Sequence, residues 1–282
     1  MDDPRRVLAR HQLGAKKSWG QNFLVDRQVL DRIVRAAGAG ADDVVVEIGA
    51  GTGALTAALA AQLPAVRRIV AVERDPDMLR VLRAELGAQP VVEVRAADAV
   101  AFDFASESAA AGRPLVVLGN LPYQIASVLL LALAGAGKSV ARAIVMVQKE
   151  MAQRVVAPPG GKTYGRLTVM IQQRMAARIL FHVAPGSFHP RPKVTSSVMV
   201  LEPRATPLAP VTDAAAFERL VKEAFGTRRK MLRRALEPAY GAPALALAFD
   251  RAGIAGTRRA EELTVADFAR LSEALAGGDH HA

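Results

Sequence analysis

The sequence has no cysteine, which excludes disulfides, thiolate metal sites and a cysteine nucleophile. Its five histidines, His11, His182, His189, His280 and His281, show no metal-ligand spacing, so no metal is expected. The opening stretch MDDPRRVLARHQLG lacks an apolar run, so no secretory signal is expected. A long hydrophobic run is missing too. The longest uncharged stretch, 114–137, is interrupted by Gly119, Asn120, Pro122, Tyr123 and Gln124. It reads as strand, loop and buried helix rather than a membrane span. These absences point to a soluble, cytoplasmic protein without a membrane partner.

What is present supports a large core. Of 282 residues, 51% are hydrophobic and 23% charged, which argues against disorder and for one large domain plus a small one. The net charge of +10 is unevenly spread. Residues 1–40 carry +4, residues 41–140 carry −3, residues 141–203 carry +7 and residues 204–282 carry +2. A phosphate-binding surface would draw on the first and third blocks and on the late cluster Arg228, Arg229, Lys230, Arg233 and Arg234. The alternative for that cluster is a solvated helix face.

Four apolar, β-branched runs fall in the first half: Val44–Ile48, Ile69–Val72, Val91–Val94 and Leu115–Leu118. Helical patterns at Asp26–Ala37, Leu55–Gln62 and Asp77–Leu86 alternate with them. This spacing predicts a parallel α/β sheet of the Rossmann-like kind, with helices on both faces. Further strands are expected at Ala143–Val147, Ile179–Val183 and Ser197–Leu201. The proline-rich EPRATPLAP then reads as a linker, with helices beyond it at Ala214–Phe225, Arg228–Leu236 and Val265–Leu275. The expected domains are 1–203, a catalytic α/β unit, and 204–282, a small all-α unit.

The run VVVEIG leads into AGTGALTAALA, placing Gly49, Gly51 and Gly53 on a strand-to-helix turn. Such a turn lets a ligand approach backbone without a Cβ in the way. Glu73 ends the second strand, where a ribose diol lies in a doubly wound sheet. Gly49, Gly51 and Ala54 also satisfy a relaxed dinucleotide fingerprint, so these features alone leave NAD open. Asp98 after the third strand and Asn120-Leu121-Pro122-Tyr123 after the fourth favour S-adenosylmethionine. Glu73 would hold the ribose hydroxyls, Asp98 the adenine amino group, and the Gly49 turn would lie under the methionine part. No histidine is placed for hydride chemistry. Two P-loop-like endings, Gly161-Lys162-Thr163 and Gly137-Lys138-Ser139, lack the first glycine of that motif.

Asn120-Leu121-Pro122-Tyr123 suits a particular acceptor. An exocyclic amino group conjugated to a ring is a poor nucleophile because its lone pair is delocalised. The Asn120 side-chain oxygen and the Leu121 carbonyl could hold its N–H bonds and draw the nitrogen towards tetrahedral geometry. Pro122 would fix that turn, and Tyr123 would stack on the ring. Catalysis would then rest on orientation in a water-poor pocket.

KKSWGQNFL, EIGAGTGALT, NLPYQIAS, MVQKEMAQR, YGRLTV, FHPRPKVTSSV, FGTRRKMLRRAL and EELTVADFARL occur in order from about residue 10 to 275. Together they resemble the ribosomal RNA adenine dimethyltransferases, most closely the small-subunit branch. The resemblance implies a class I S-adenosylmethionine-dependent methyltransferase fold with a helical C-terminal domain. It implies dimethylation of two adjacent adenosines near the 3′ end of 16S rRNA, by a monomer acting within a pre-30S particle. The family's cofactor positions fall on Asn22, Leu24, Gly49, Glu73, Asp98 and Asn120, and its target-base platform on Tyr123 and Phe188. Arg191 and Lys193 flank Phe188 and would meet phosphates beside a flipped base, although Phe188 as a plain core residue is the alternative. Departures from the family pattern are Ala50 for proline, Ser18-Trp19 for Arg-Phe, Gln124 for asparagine and Thr195 for an acidic residue. A large-subunit rRNA dimethyltransferase shares the catalytic half, and a binding protein that keeps the fold without turnover is the rival from another class.

Overall fold

A computed structural model describes residues 2–16, 19–63, 65–227 and 230–276. Two compact units emerge, one formed by residues 1–152 and 177–203 and the other by 153–176 and 204–282.

In the first unit, α1 (Pro4–Arg10) and β1 (Phe23–Leu24) precede α2 (Arg27–Ala37), β2 (Val44–Ile48), α3 (Ala54–Gln62), β3 (Arg68–Glu73), α4 (Pro76–Leu86) and β4 (Val92–Ala96). Then come α5 (Phe104–Ala111), β5 (Leu115–Asn120), α6 (Ala126–Ala136), β6 (Val140–Gln148) and α7 (Lys149–Val155). After α8 (Arg166–Arg174), which belongs to the second unit, the strands β7 (Met175–Val183), β8 (Phe188–His189) and β9 (Ser196–Pro203) follow. Seven strands form one sheet in the order β4-β3-β2-β5-β6-β9-β7. Registers such as Val45↔Ile69 and Val45↔Val116 run parallel from β4 through β6. The sheet is not wholly parallel: β9 pairs antiparallel to β6, with Met146 opposite Val198. No α-helix separates β7 from β9, so this end of the sheet is not built from the crossover units that make the rest parallel.

The helices form where sequence signals place them. Asp26 accepts from the Gln28 and Val29 amides to cap α2, and left-handed Gly38 ends it. Its buried stripe Val29, Leu30, Ile33, Val34 and Ala37 packs with Val45, Ile69, Val116 and Ile144 in one apolar cluster. Asp75 caps α4 with Pro76 in its first turn. Along β2, Val44, Val46 and Ile48 on the opposite side are buried as well, the pattern of a sheet covered on both faces. β3 and β5 flank β2 on opposite sides, so the strand order reverses there, and the connections leaving the carboxyl ends open a crevice.

The second unit adds α9 (Ala214–Gly226), α10 (Leu232–Tyr240), α11 (Ala242–Ala252) and α12 (Val265–Ala276). Its core unites Tyr164 and Val169 with Phe217, Leu220, Leu236, Phe249 and Phe268. Residues 153–176 therefore belong with the helices and not, as their sequence position implied, with the sheet. Gln173 makes the join: its side chain donates to the Ala209 carbonyl at 2.7 Å and accepts from the Ala209 amide at 3.2 Å. The helix expected from Arg228 starts instead at Leu232, after the extended Met231. Only Leu232 and Leu236 supply its buried i, i+4 pair. Among the described residues, no helix is long and apolar enough to cross a membrane and no group of side chains suits a metal ion.

Candidate active site

One cleft lies at the carboxyl ends of β2, β3, β4 and β5, lined by residues of the first unit that include Trp19, Asn22, Leu24, Gly49, Gly51, Glu73, Asp98, Asn120, Leu121, Pro122 and Tyr123. The glycine turn forms its floor. The amides of Gly49 and Ala50 both donate to the Val72 carbonyl, at 2.9 and 3.1 Å, folding the loop back onto β3. Gly49 and Gly51 have φ of +74° and +56°, a region that L side chains rarely adopt. A Cβ on Gly51 would also stand 3.1 Å from the Phe23 ring. Phe23 is thus the apolar wall behind the loop.

Glu73 is fixed by backbone. Its Oε2 accepts from the Gly51 amide at 2.9 Å, and its Oε1 accepts from the Arg74 and Asp75 amides at 2.8 Å each. Three of roughly four acceptor positions on a carboxylate are thereby filled. One position on Oε2 stays open to a ribose hydroxyl, where the sequence suggested a grip on both. Asp98 ends the neighbouring strand region and accepts from the Val100 amide and from Arg74 Nη1, each at 2.9 Å. Those contacts, the Val100 amide foremost, hold its carboxyl below the usual range.

A positive-φ turn with no Cβ and two oriented carboxylates at adjacent strand ends fit S-adenosylmethionine. Gly49 and Gly51 would lie under its chain, Glu73 beside its ribose and Asp98 beside its adenine. Glu47, on β2 beneath the loop, is 3% exposed. Burial pushes its carboxyl up to about 8, against the hydrogen bond from Thr56.

The acceptor turn stands across the cleft. Asn120 Nδ2 donates to the Asn22 carbonyl at 2.9 Å, and Asn22 Nδ2 donates to the Gly20 carbonyl at 3.0 Å. The Asn120 amide is thereby oriented, with its Oδ1 as the end left to accept. The Leu121 amide donates to the Met146 carbonyl at 3.0 Å, and the Leu121 side chain is 2% exposed. Pro122 accepts from the Ile125 amide at 3.1 Å, closing the turn. The Tyr123 hydroxyl lies 2.8 Å from Ser196 Oγ, which fixes the ring, and burial raises the phenol. Ser196 had no signal in the sequence beyond its place in PKVTSSV.

Phe188 is not brought to this cleft. It is 3% exposed, pairs with Leu24 across β1 and β8, and joins the core beneath α2. The core alternative describes it in this structure. Arg191 and Lys193 are exposed on the loop between β8 and β9. Lys230, Arg233 and Arg234 are exposed in the second unit, while Arg228 and Arg229 lie outside the described residues.

A family model described as ribosomal RNA adenine dimethylase matches residues 12–277. The ribosomal RNA small subunit methyltransferase A of Anaeromyxobacter sp. (strain K) is 45% identical over 282 residues, covering 96% of this chain and 97% of that protein. The crystal structure of a dimethyladenosine transferase from Plasmodium falciparum is 25% identical with a TM-score of 0.71, covering 88% of this chain and 95% of that one. That of the 23S rRNA methyltransferase ErmE is 29% identical with a TM-score of 0.64, covering 90% and 99%. The turn at Gly49, the carboxylates of Glu73 and Asp98 and the Asn120–Tyr123 acceptor turn thus sit in a chain that belongs to the ribosomal RNA adenine dimethylase family.

Proposed function

We propose that this protein dimethylates the exocyclic amino groups of two adjacent adenosines near the 3′ end of small-subunit rRNA, acting as a cytoplasmic monomer on a pre-30S particle. The observation that carries the reading is the commitment of Asn120 Nδ2 to the Asn22 carbonyl. It leaves an acceptor, not a donor, beside the cofactor cleft, and an acceptor suits an amino group.

When bound, S-adenosylmethionine supplies a methyl group on a positively charged sulfur, with its own leaving group. The chain's residues bind and orient. Asn120 Oδ1 and the Leu121 carbonyl take the two N–H bonds of the target amine, lowering the overlap of its lone pair with the ring. This help grows as the nitrogen becomes tetrahedral and positive, so it acts on the transition state more than on binding. Tyr123, held by Ser196, offers a ring face for a base taken out of its stack. Leu121, Ile144, Met146 and Val198 line the cleft with apolar surface and exclude water. Exposed Arg191 and Lys193 on one unit, and Lys230, Arg233 and Arg234 on the other, meet rRNA phosphates; Arg228 and Arg229 belong to the same basic run of sequence.

Small-subunit rRNA is favoured over large-subunit rRNA because the relative named for the small subunit is 45% identical and ErmE 29%. Incubation with labelled S-adenosylmethionine and unmethylated small or large subunits tests this. Label in small-subunit rRNA is expected, and label confined to large-subunit rRNA overturns the assignment.

A further inference from the structure

The adenosine end of the cleft carries a contact set that the acceptor chemistry leaves unused. Arg74 follows Glu73 at the end of β3. Its guanidinium carbon lies 4.8 Å from the centroid of the Trp19 ring, and its Nη1 donates to Asp98 at 2.9 Å. Its own amide donates to Glu73 at 2.8 Å. One residue thus touches both carboxylates assigned to the cofactor and the chain's single tryptophan.

A second cation lies against the same ring. Lys16 Nζ lies 5.5 Å from the same ring and pairs with Asp75 and Asp77, at 2.7 Å each. Gln21 Nε2 donates to Asp75 at 2.8 Å, while Gln21 Oε1 accepts from the Lys16 amide at 2.9 Å. Asp75 is fully buried as a side chain and anchors both. The N-terminal segment is therefore fastened to the loop after β3 on each side of Trp19, and Trp19 and Arg74 both line the cleft.

We propose that Arg74 is a cofactor-positioning residue that clamps the Trp19 ring across the adenosine end of the cleft and presents Asp98 to the purine amino group. The proposal rests on reading the cleft as an S-adenosylmethionine site. Arg74 also places its positive charge on Asp98 and its backbone amide on Glu73, offsetting the repulsion of two carboxylates facing one ligand. A cation stacked on an indole favours a closed cover without a covalent or metal tie, and its modest strength lets the cover reopen for product release.

Trp19 is the only indole, so its fluorescence reports the latch directly. S-Adenosylhomocysteine is the probe, with calorimetry for affinity and acrylamide quenching for exposure of Trp19. Ligand should at least halve the quenching of the wild-type protein. Arg74→Met should raise quenching without ligand and weaken affinity about 2- to 5-fold, the range of an exposed cation–π contact. Arg74→Lys should recover part of both, and the Arg74→Met/Trp19→Ala pair should bind no worse than the weaker single variant. Wild-type binding with unchanged affinity and quenching in Arg74→Met overturns the latch alone, as do losses that multiply in the double variant. A wild-type protein that binds no S-adenosylhomocysteine overturns the cofactor reading and the latch with it.

Discussion

Asn120 and Asn22 are 98 residues apart in sequence, yet the side-chain nitrogen of one donates to the backbone carbonyl of the other at 2.9 Å. This bond joins the Asn120–Tyr123 turn to the segment that brings Asn22 to the same cleft. It also commits Nδ2 of the Asn120 amide and leaves Oδ1 as the end that can accept.

Asn120→Ala removes the acceptor, and Asn120→Asp replaces the Nδ2 that donates to the Asn22 carbonyl with a second acceptor. Both should depress single-turnover methylation at saturating cofactor by about 10²-fold or more, the scale of a lost transition-state hydrogen-bonding group. Affinity for rRNA should change little. A wild-type rate in Asn120→Ala contradicts the amino-acceptor role.

Tyr123 should act through its ring. Tyr123→Ala loses a stacking surface of about 1–3 kcal/mol, whereas Tyr123→Phe loses only the bond to Ser196 and should keep most activity. Ser196→Ala should match Tyr123→Phe. If Tyr123→Phe is as slow as Tyr123→Ala, the hydroxyl carries the effect.

Glu73→Ala should weaken cofactor binding by about 10- to 150-fold, from roughly 1.5–3 kcal/mol for hydrogen bonds to a charged group. It also strips the Gly51, Arg74 and Asp75 amides of their acceptor, so a loss of thermal stability should accompany the loss of affinity. Calorimetry on the folded variant reads both, and unchanged cofactor affinity contradicts the ribose assignment.

Much of this site was legible in the sequence because it lies where apolar runs end. β2 coincides with the run Val44–Ile48, and Glu73 and Asn120 each end a strand. Side-chain pairings between distant segments were not legible. Nothing in KKSWGQNFL shows that Trp19 meets Arg74, and two-residue strands such as β1 and β8 are too short for an alternating pattern. Phe188, aromatic and flanked by cations, reads as a platform from sequence, whereas the structure pairs it with Leu24 and buries it in the apolar cluster with α2. The grouping of residues 153–176 with the helical unit likewise depends on Tyr164 and Val169 finding partners beyond residue 204.

Glu47 gives the protein a pH dependence of known sign. Its folded value of about 8 lies above the ordinary 4.5, so the folded state keeps a proton that the unfolded state releases. The stabilisation is full below about pH 4.5 and is lost as pH rises towards 8. Glu47→Gln, which keeps the shape without the charge, should therefore melt higher than wild type at pH 8 and show little difference at pH 5. Each kcal/mol gained should appear as about 2–4 °C. Equal melting temperatures at pH 8 contradict a buried, proton-holding Glu47.

Nucleoside mass spectrometry tests most directly whether the Asn120–Tyr123 turn delivers adenine amino groups to the cofactor cleft. Unmethylated small subunits treated with the protein and S-adenosylmethionine are digested, and the modified residues are identified and placed in the rRNA. The account predicts N6,N6-dimethyladenosine at two adjacent positions near the 3′ end, and none with Asn120→Ala. Methyl groups on ribose oxygens, on ring nitrogens or on another base would contradict it.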